Sequence, residues 1–594
     1  MILPTINPVD SERDFLSAFG GYNANERCQE NEAFNEMNMT SDLFPNMSPR
    51  EPRIIFEDNV LNLKGLHVNN GLIEIKDSGG TSNALFYDGT YIATLSDLGE
   101  RQMCSMGAYV IIWPDKKRFN TQTRALEDLC ASFNYSGTVR FQLCKLDGTQ
   151  INPTVSSTAP ANPTAGQYWL DTSTTPNALK VWSESQGMWT SVATSYTKII
   201  ATGIGTNFEK MDVVKISGVT GTYADTFNTD MAIWDKTSDS IIVTALINNV
   251  FENIGITIKR EPPDMDFICE HGNRLWGCSS EKHEIYGSKL GDPTNFYSYL
   301  GTAADSYAAT VGTEGDFTGC AEQGGSVVFF KERHIHKLYG SWPSNYQISA
   351  TPERGVQKGC HKSLKLINGL LIYKAVDGVC YYEGSYPRLI SEALGNTRYE
   401  NASAGVWKDK YYIRISPVGE TRSTLFTYDT DRQLWHKEDE TPVTRYDYFT
   451  VYNNRLLLYD SINNRIVAEG KDAMPGIIYQ TETSFPWFWE SGIIGIDSPV
   501  RKFISQILIR MAMELYAEIW VDVMYDSSGE WEEKAHIKNN YEVSRRNTPG
   551  YTALRSVDLP IIPRRCDHMR LRIRGEGISK IFSISKIIEQ GGII

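Results

Sequence analysis

The sequence predicts an all-β fold: a β-propeller, seven blades preferred, interrupted by an inserted β domain and followed by a C-terminal β-sandwich. Three observations predict it. A hairpin of two short apolar strands recurs through the middle of the chain, its steps match the length of one four-stranded blade, and after Pro475 the strands become longer and more regularly alternating.

The first strands of the repeat read GLIEI after Asn70, AYVIIW after Gly107, RLWGC after Asn273, SVVFF after Gly325, LLIY after Gly369, KYYIRI after Asp409 and RLLLY after Asn454. Their partners are ALFYDG from Ala84, KRFN from Lys117, EIYGSKL from Glu284, HIHKLYG from His334, GVCYYEG from Gly378, STLFTYD from Ser423 and RIVAEG from Arg465. Between Gly325, Gly369, Asp409 and Asn454 the steps are 44, 40 and 45 residues, the span of one blade. Asn-Gly, Asp-Gly and Asn-Asn between the strands tolerate the positive φ of tight turns. Hairpins this short cannot bury their faces alone, and a closed ring leaves only short edges. Blades are therefore expected over residues 51–120 and 263–475.

From Gly107 to Asn273 the step is 166 residues, far beyond one blade. An inserted β domain is expected over 121–262, containing a Trp-rich hairpin module at 152–189. The strands QYWLD and LKVWS and a closing aromatic supply Trp169, Trp182 and Trp189, read either as the packing of a small module or as a glycan-stacking platform. TVRFQLCKL, DVVKISGV and DSIIVTAL surround it. Residues 476–594, with FISQILIRM, AEIWVDVMYD, HMRLRIRG and KIFSISKII, alternate as sandwich strands do. Residues 1–50 show little periodicity and are expected to be an extended N-terminal arm.

Charge narrows the function classes. Among 594 residues, 58 Lys and Arg face 72 Asp and Glu, a net charge of −14; a surface this acidic does not wrap duplex DNA. Hydrophobic residues at 41% and charged residues at 22% describe a globular chain, not a disordered one. The opening MILPTINPVDSERDF lacks a basic and then apolar leader, and no run approaches a membrane span, so neither secretion nor membrane insertion is expected. Ten cysteines without a C-x-x-C pair read as reduced thiols of a protein made in cytoplasm.

Motifs of chemistry are sparse. His334 and His336 share a strand face but have no third ligand nearby, and Cys269-Glu270-His271 fails in the same way, so no metal is expected. No G-x-S-x-G, phosphate loop, H-E-x-x-H or sialidase turn repeat occurs, so neither catalytic residues nor a cofactor are assigned and no enzyme is expected. In the charge-neutral C-terminal part, Arg570, Arg572 and Arg574 alternate with apolar residues and put three guanidinium groups on one face. They are either a subunit-docking stripe or a strand face paired with local carboxylates.

The stretch GNRLWGCSSEKHEIYGSKLGDPTNFYSYL from Gly272 resembles a signature of propeller-bearing tail hub and nozzle proteins of tailed bacteriophages, carried by Asn273, Arg274, Leu275, Trp276, Ile285, Tyr286, Ser288, Gly291, Asp292, Pro293, Asn295 and Phe296. The insert, with Pro163, Gly166, Trp169, Asp171, Thr172, Ser173, Leu179, Lys180, Val181, Trp182 and Trp189, is similar to small modules appended to tail and fibre proteins. The opening, around Gly20-Gly21-Tyr22-Asn23 and Ser48-Pro49-Arg50, looks like the start of a phage structural family.

The resemblance implies a virion structural protein of the tail: a hub or nozzle, packaged-DNA stabilisation type, extending or closing the DNA exit channel below portal and adaptor. It implies a homo-oligomeric ring, taken as a hexamer, contacts with the portal and adaptor ring and other tail proteins, and transient passage of genomic DNA without sequence-specific binding. Such a protein resides in the virion after synthesis in the host bacterial cytoplasm. The alternative is a host-receptor or glycan-binding tail protein recognising a host-surface glycan, and a propeller glycosidase stands behind both.

Overall fold

The computed structural model describes residues 11–299, 301–470, 482, 485–496, 501–539, 553–561 and 564–590. The chain is mostly β, in antiparallel sheets. Outside the insert, seven four-stranded sheets follow one another among the described residues: 61–94, 102–128, 267–310, 317–351, 365–389, 399–441 and 446–468. The last has three strands of its own and takes its fourth, Ile54–Glu57, from the N-terminal side, paired with Arg465–Ala468. The two central strands of each sheet are the hairpins read from the sequence. The flanking strands are shorter or less apolar, such as Tyr307–Thr310 and Arg388–Leu389.

Adjacent sheets pack through apolar clusters, and alternation along each central strand decides which neighbour a side chain meets. Val327 and Phe329 pack toward the third sheet, while Val328 and Phe330 pack toward the fifth. Val110 and Ile112 meet the first sheet, Ile111 and Trp113 the third. The seventh sheet packs on the sixth through Leu456 and Leu458 and on the first through Leu457 and Tyr459. A strand buried on both faces reads as a continuous apolar run, which is why SVVFF, YVIIW and LLLY stand out. The arrangement is propeller-like.

Leu126–Asp128 is the fourth strand of the second sheet, so that sheet extends past the boundary expected at 120. The insert proper is a closed six-stranded barrel built from Ala131–Cys144, Tyr196–Ile200, Val213–Ser217, Asp230–Thr237, Ser240–Thr244 and Phe251–Arg260. The Trp-bearing module, four strands over 154–191, leaves the barrel after its first strand and lays Leu170 and Leu179 into the barrel core.

The N-terminal segment differs from the extended arm expected. Ser11–Leu16 pairs antiparallel with Ser579–Gln590, and Ala33–Met37 pairs with Pro486–Ser491. Each joins one of two five-stranded sheets that share a core containing Phe19, Trp487, Trp489, Ile507, Ile519 and Ile573. The strands are short, and their partners lie more than 450 residues away, so local periodicity carries no sign of the pairing. The boundary expected at 475 lies outside the described residues.

Between these strands and Ile54–Glu57, the chain crosses the sixth and seventh sheets through buried polar contacts. Glu36 accepts hydrogen bonds from His436 Nδ1 and the Lys437 amide, both at 3.0 Å. Lys410 reaches Asp42 at 2.7 Å. Arg53, 4% exposed, pairs with Glu438 at 2.8 Å and Glu469 at 2.5 Å. Burial opposes its charge, but the surrounding carboxylates more than offset that and hold it well above the ordinary arginine value. Among the described residues no helix is long and apolar enough to cross a membrane.

Candidate functional site

The three module tryptophans form a T-shaped chain. Trp189 lies 5.5 Å from both Trp169 and Trp182, ring centre to ring centre. Trp182 and Trp189 face each other across the hairpin. Trp169 is buried, its Nε1 donating to the Ser156 carbonyl at 3.1 Å, with Lys180 over its ring and on Asp171. Trp182 and Trp189 are half-buried.

Met569–Glu576 is the central strand of its sheet and presents the three arginines on one face. Arg572 and Arg574 both donate through Nε to the same Asp522 carboxylate oxygen at 2.9 Å, and Asp522 is 1% exposed. Arg574 also meets Glu533 at 2.9 Å and lies over Trp520, while Arg572 lies over Trp531. Arg570 stacks 3.6 Å over Phe34 of the N-terminal segment. Arg572 and Arg574 are thus paired within the chain, while Arg570 is stacked on Phe34 with its Nε buried and without a hydrogen-bond partner.

The signature strands are built as structure. Arg274 is buried and donates to the carbonyls of Ser288 at 2.7 Å, Ala303 at 2.7 Å and Asp305, which ties down the loop after Gly-Asp-Pro. Asp292 accepts from the Thr294 amide and hydroxyl, and Phe296 is fully buried beneath the loop. Asn295 reaches across to Asp212 of the barrel at 3.3 Å. Leu300, the last residue of the motif, lies outside the described residues.

His336 is buried with Nε2 on Thr313 Oγ1 at 2.8 Å and Nδ1 without a partner, 6.4 Å from the half-buried His334 ring centre to ring centre. Burial, then Lys331 and His334, push its pKa down to about 4. Among the described residues no group of three or more His, Cys, Asp or Glu is placed to hold a metal.

Sequence reasoning missed the cavity at the centre. A space of about 300 Å³ is lined from all seven sheets by the first strand of each and the turns leading into them, including His67, Met103, Phe267, Cys320, Lys365, Ala404 and Tyr448. Glu100 sits on its wall, 3.0 Å from Lys362 and 3.4 Å from His361. Burial pushes the Glu100 carboxyl up, but the hydrogen bond from His361 and the charge of Lys362 outweigh it and hold the pKa below the ordinary value. Asp447 behaves alike: burial is outweighed by Arg414, Ser461 and Arg445. His67 bonds Ser105 at 2.7 Å, and burial with the charge of Lys365 lowers it to about 4. Cys320 stands beside Cys269, and a hydrogen bond between them together with burial holds the Cys269 thiol well above its ordinary value, so it is no ready nucleophile. A second space of about 380 Å³ shares Glu100, His361, Lys362, Asp447 and Tyr448 with the first. Seven separate strands contribute one to four residues each, so no local motif announces the cavity.

No protein-family model and no curated protein matches the chain. Similar solved structures include PorZ, a bacterial surface component of the type-IX secretion system of Porphyromonas gingivalis, at 9% identity over 84% of this chain and 75% of that one, TM-score 0.26. Virginiamycin B lyase from Staphylococcus aureus matches at 10% identity over 49% of this chain and 87% of that one, TM-score 0.24. BamB from Moraxella catarrhalis matches at 8% identity, 63% and 95%, TM-score 0.21.

Proposed function

We propose that the chain is a structural subunit of a bacteriophage tail: a seven-bladed propeller with an inserted barrel and a C-terminal sandwich, assembling as a ring that extends or closes the DNA exit channel below portal and adaptor. The observation that carries the reading is the use made of the signature Asn273–Phe296. Its polar side chains are spent on shape: Arg274 holds three carbonyls of its own loop, Asp292 caps a turn and Asn295 joins the loop to the barrel. A motif kept for architecture suits a protein whose task is architecture.

Two further observations support it. The polar seam through Glu36, Asp42 and Arg53 ties the N-terminal segment to the propeller-like body, as a part under load requires. The net charge of −14 suits a wall that passes a polyanion without retaining it. Catalysis of the glycosidase type fits less well. Glycoside hydrolysis needs one carboxyl held protonated beside an ionised one, whereas Glu100 and Asp447 are both held ionised by neighbouring cations. Trp182 and Trp189, only half-buried where Trp169 is buried, favour the second reading, a glycan-binding tail protein.

Immunogold labelling tests the proposal. An antibody against the chain should decorate the tail of phage particles whose genome encodes it. Unlabelled particles, with the protein found only in the lysate, overturn it.

A further inference from the structure

Lys365 opens the first strand of the fifth sheet and lines the central cavity. Other cations nearby have partners: Lys362 is on Glu100 and over the Tyr448 ring at 4.0 Å, Arg101 is on Asp115 at 2.9 Å, and Arg414 and Arg445 share Asp447. The Lys365 ammonium group has no hydrogen bond or ion pair among the described residues; the charged group acting on it is Lys362, a like charge. The same cavity is lined by His67, Phe267, Met103, Leu364 and Cys320, none of which is an anion at neutral pH, and by the carboxylates Glu100 and Asp447. Glu100 and Asp447 are already matched or outnumbered by cations. The cavity therefore carries an excess of positive charge inside a chain of net charge −14.

Lys365 is half-buried, and an ammonium group partly withdrawn from water with no counter-charge favours an anion that can pair with it. Low-dielectric walls also focus the field of such a charge on the space in front of it. Desolvation and the repulsion from Lys362 lower the Lys365 pKa, and an anion bound in front of it would favour its charged form.

We propose that the central cavity is a binding site for a small anion, a carboxylate- or phosphate-bearing molecule, with Lys365 as its charge partner and the ring edge of Phe267 and the side chains of Met103 and Leu364 as the wall for its body. A space of about 300 Å³ admits a metabolite-sized molecule and excludes a polymer. The site does not depend on the tail assignment. It would give the ring of sheets a ligand at its axis, where one bound anion touches strands from several sheets at once and so stabilises their closure.

The test is thermal unfolding of the full chain at fixed ionic strength, titrated with inorganic phosphate in one arm and succinate in the other. At least one of the two should raise the midpoint saturably in the wild type. The rise should be lost in Lys365→Met and kept in Lys365→Arg, which preserves the charge. Circular dichroism of each variant without anion shows whether it is folded, and Lys365→Gln replaces Lys365→Met if that variant is not. If neither anion raises the midpoint, or if the neutral variant shows the same rise as the wild type, the proposal is wrong.

Discussion

Leu457 and Leu458 are sequence neighbours buried in different cores. Leu457 packs with Ile54, Leu63 and Leu72 against the first sheet, and Leu458 packs with Tyr412 and Leu425 against the sixth. Both are fully buried, so either truncation to Ala is expected to cost about 2–5 kcal/mol in urea unfolding. The two should loosen opposite neighbours. Hydrogen exchange should rise in 54–68 for Leu457→Ala and in 399–441 for Leu458→Ala; the same segments responding to both would contradict this packing.

Asp522 is a buried carboxylate held by two arginines. Changing Arg572 and Arg574 together to Gln leaves it alone in the sheet, and the expected loss is at most about 3 kcal/mol, reduced because the Arg574 side chain is 38% exposed. Adding Asp522→Asn should restore most of the stability. Assembly then separates the two readings of the stripe: if Arg570, Arg572 and Arg574 dock subunits, the rescued protein is stable but does not form rings.

Trp169 and Trp182 should differ. Trp169→Ala removes a buried ring and is expected to cost about 3–5 kcal/mol, exposing residues 154–191 to protease. Trp182→Ala removes a half-buried side chain with one T-shaped contact to another tryptophan, worth about 0.5–1.5 kcal/mol beyond its lost area. A folded Trp182→Ala protein that loses adhesion to host-surface glycan would favour the receptor reading.

His67 and His336 set a pH dependence. Their folded pKa values are pushed to about 4 from 6.5, so between these values the unfolded chain binds more protons than the folded one. Stability is therefore full above about pH 6.5 and is lost as pH falls toward 4. The urea midpoint should drop across this window, and His336→Asn should flatten the drop. An unchanged slope would show that His336 does not titrate there.

What the sequence made legible follows from burial. Strands such as Ser326–Lys331 and Arg455–Asp460 are apolar on both faces and stand out as runs, whereas Arg388–Leu389 is too short to carry a pattern. The closing strand Ile54–Glu57 and the strands Ser11–Leu16 and Ala33–Met37 owe their pairing to residues hundreds of positions away. Lys365 could not be singled out, because its significance lies in having no ion-pair partner among the described residues, and which charged groups share the cavity with it depends on how the other six sheets are arranged. The arginine stripe was legible as a face but not as a set of ion pairs, since Asp522 lies 50 residues before Arg572.

The most direct measurement is negative-stain electron microscopy of the purified chain, alone and mixed with its portal and adaptor proteins. The tail-subunit account predicts closed rings that stack on the adaptor. Monomers in both preparations, at concentrations where portal and adaptor themselves assemble, would contradict it.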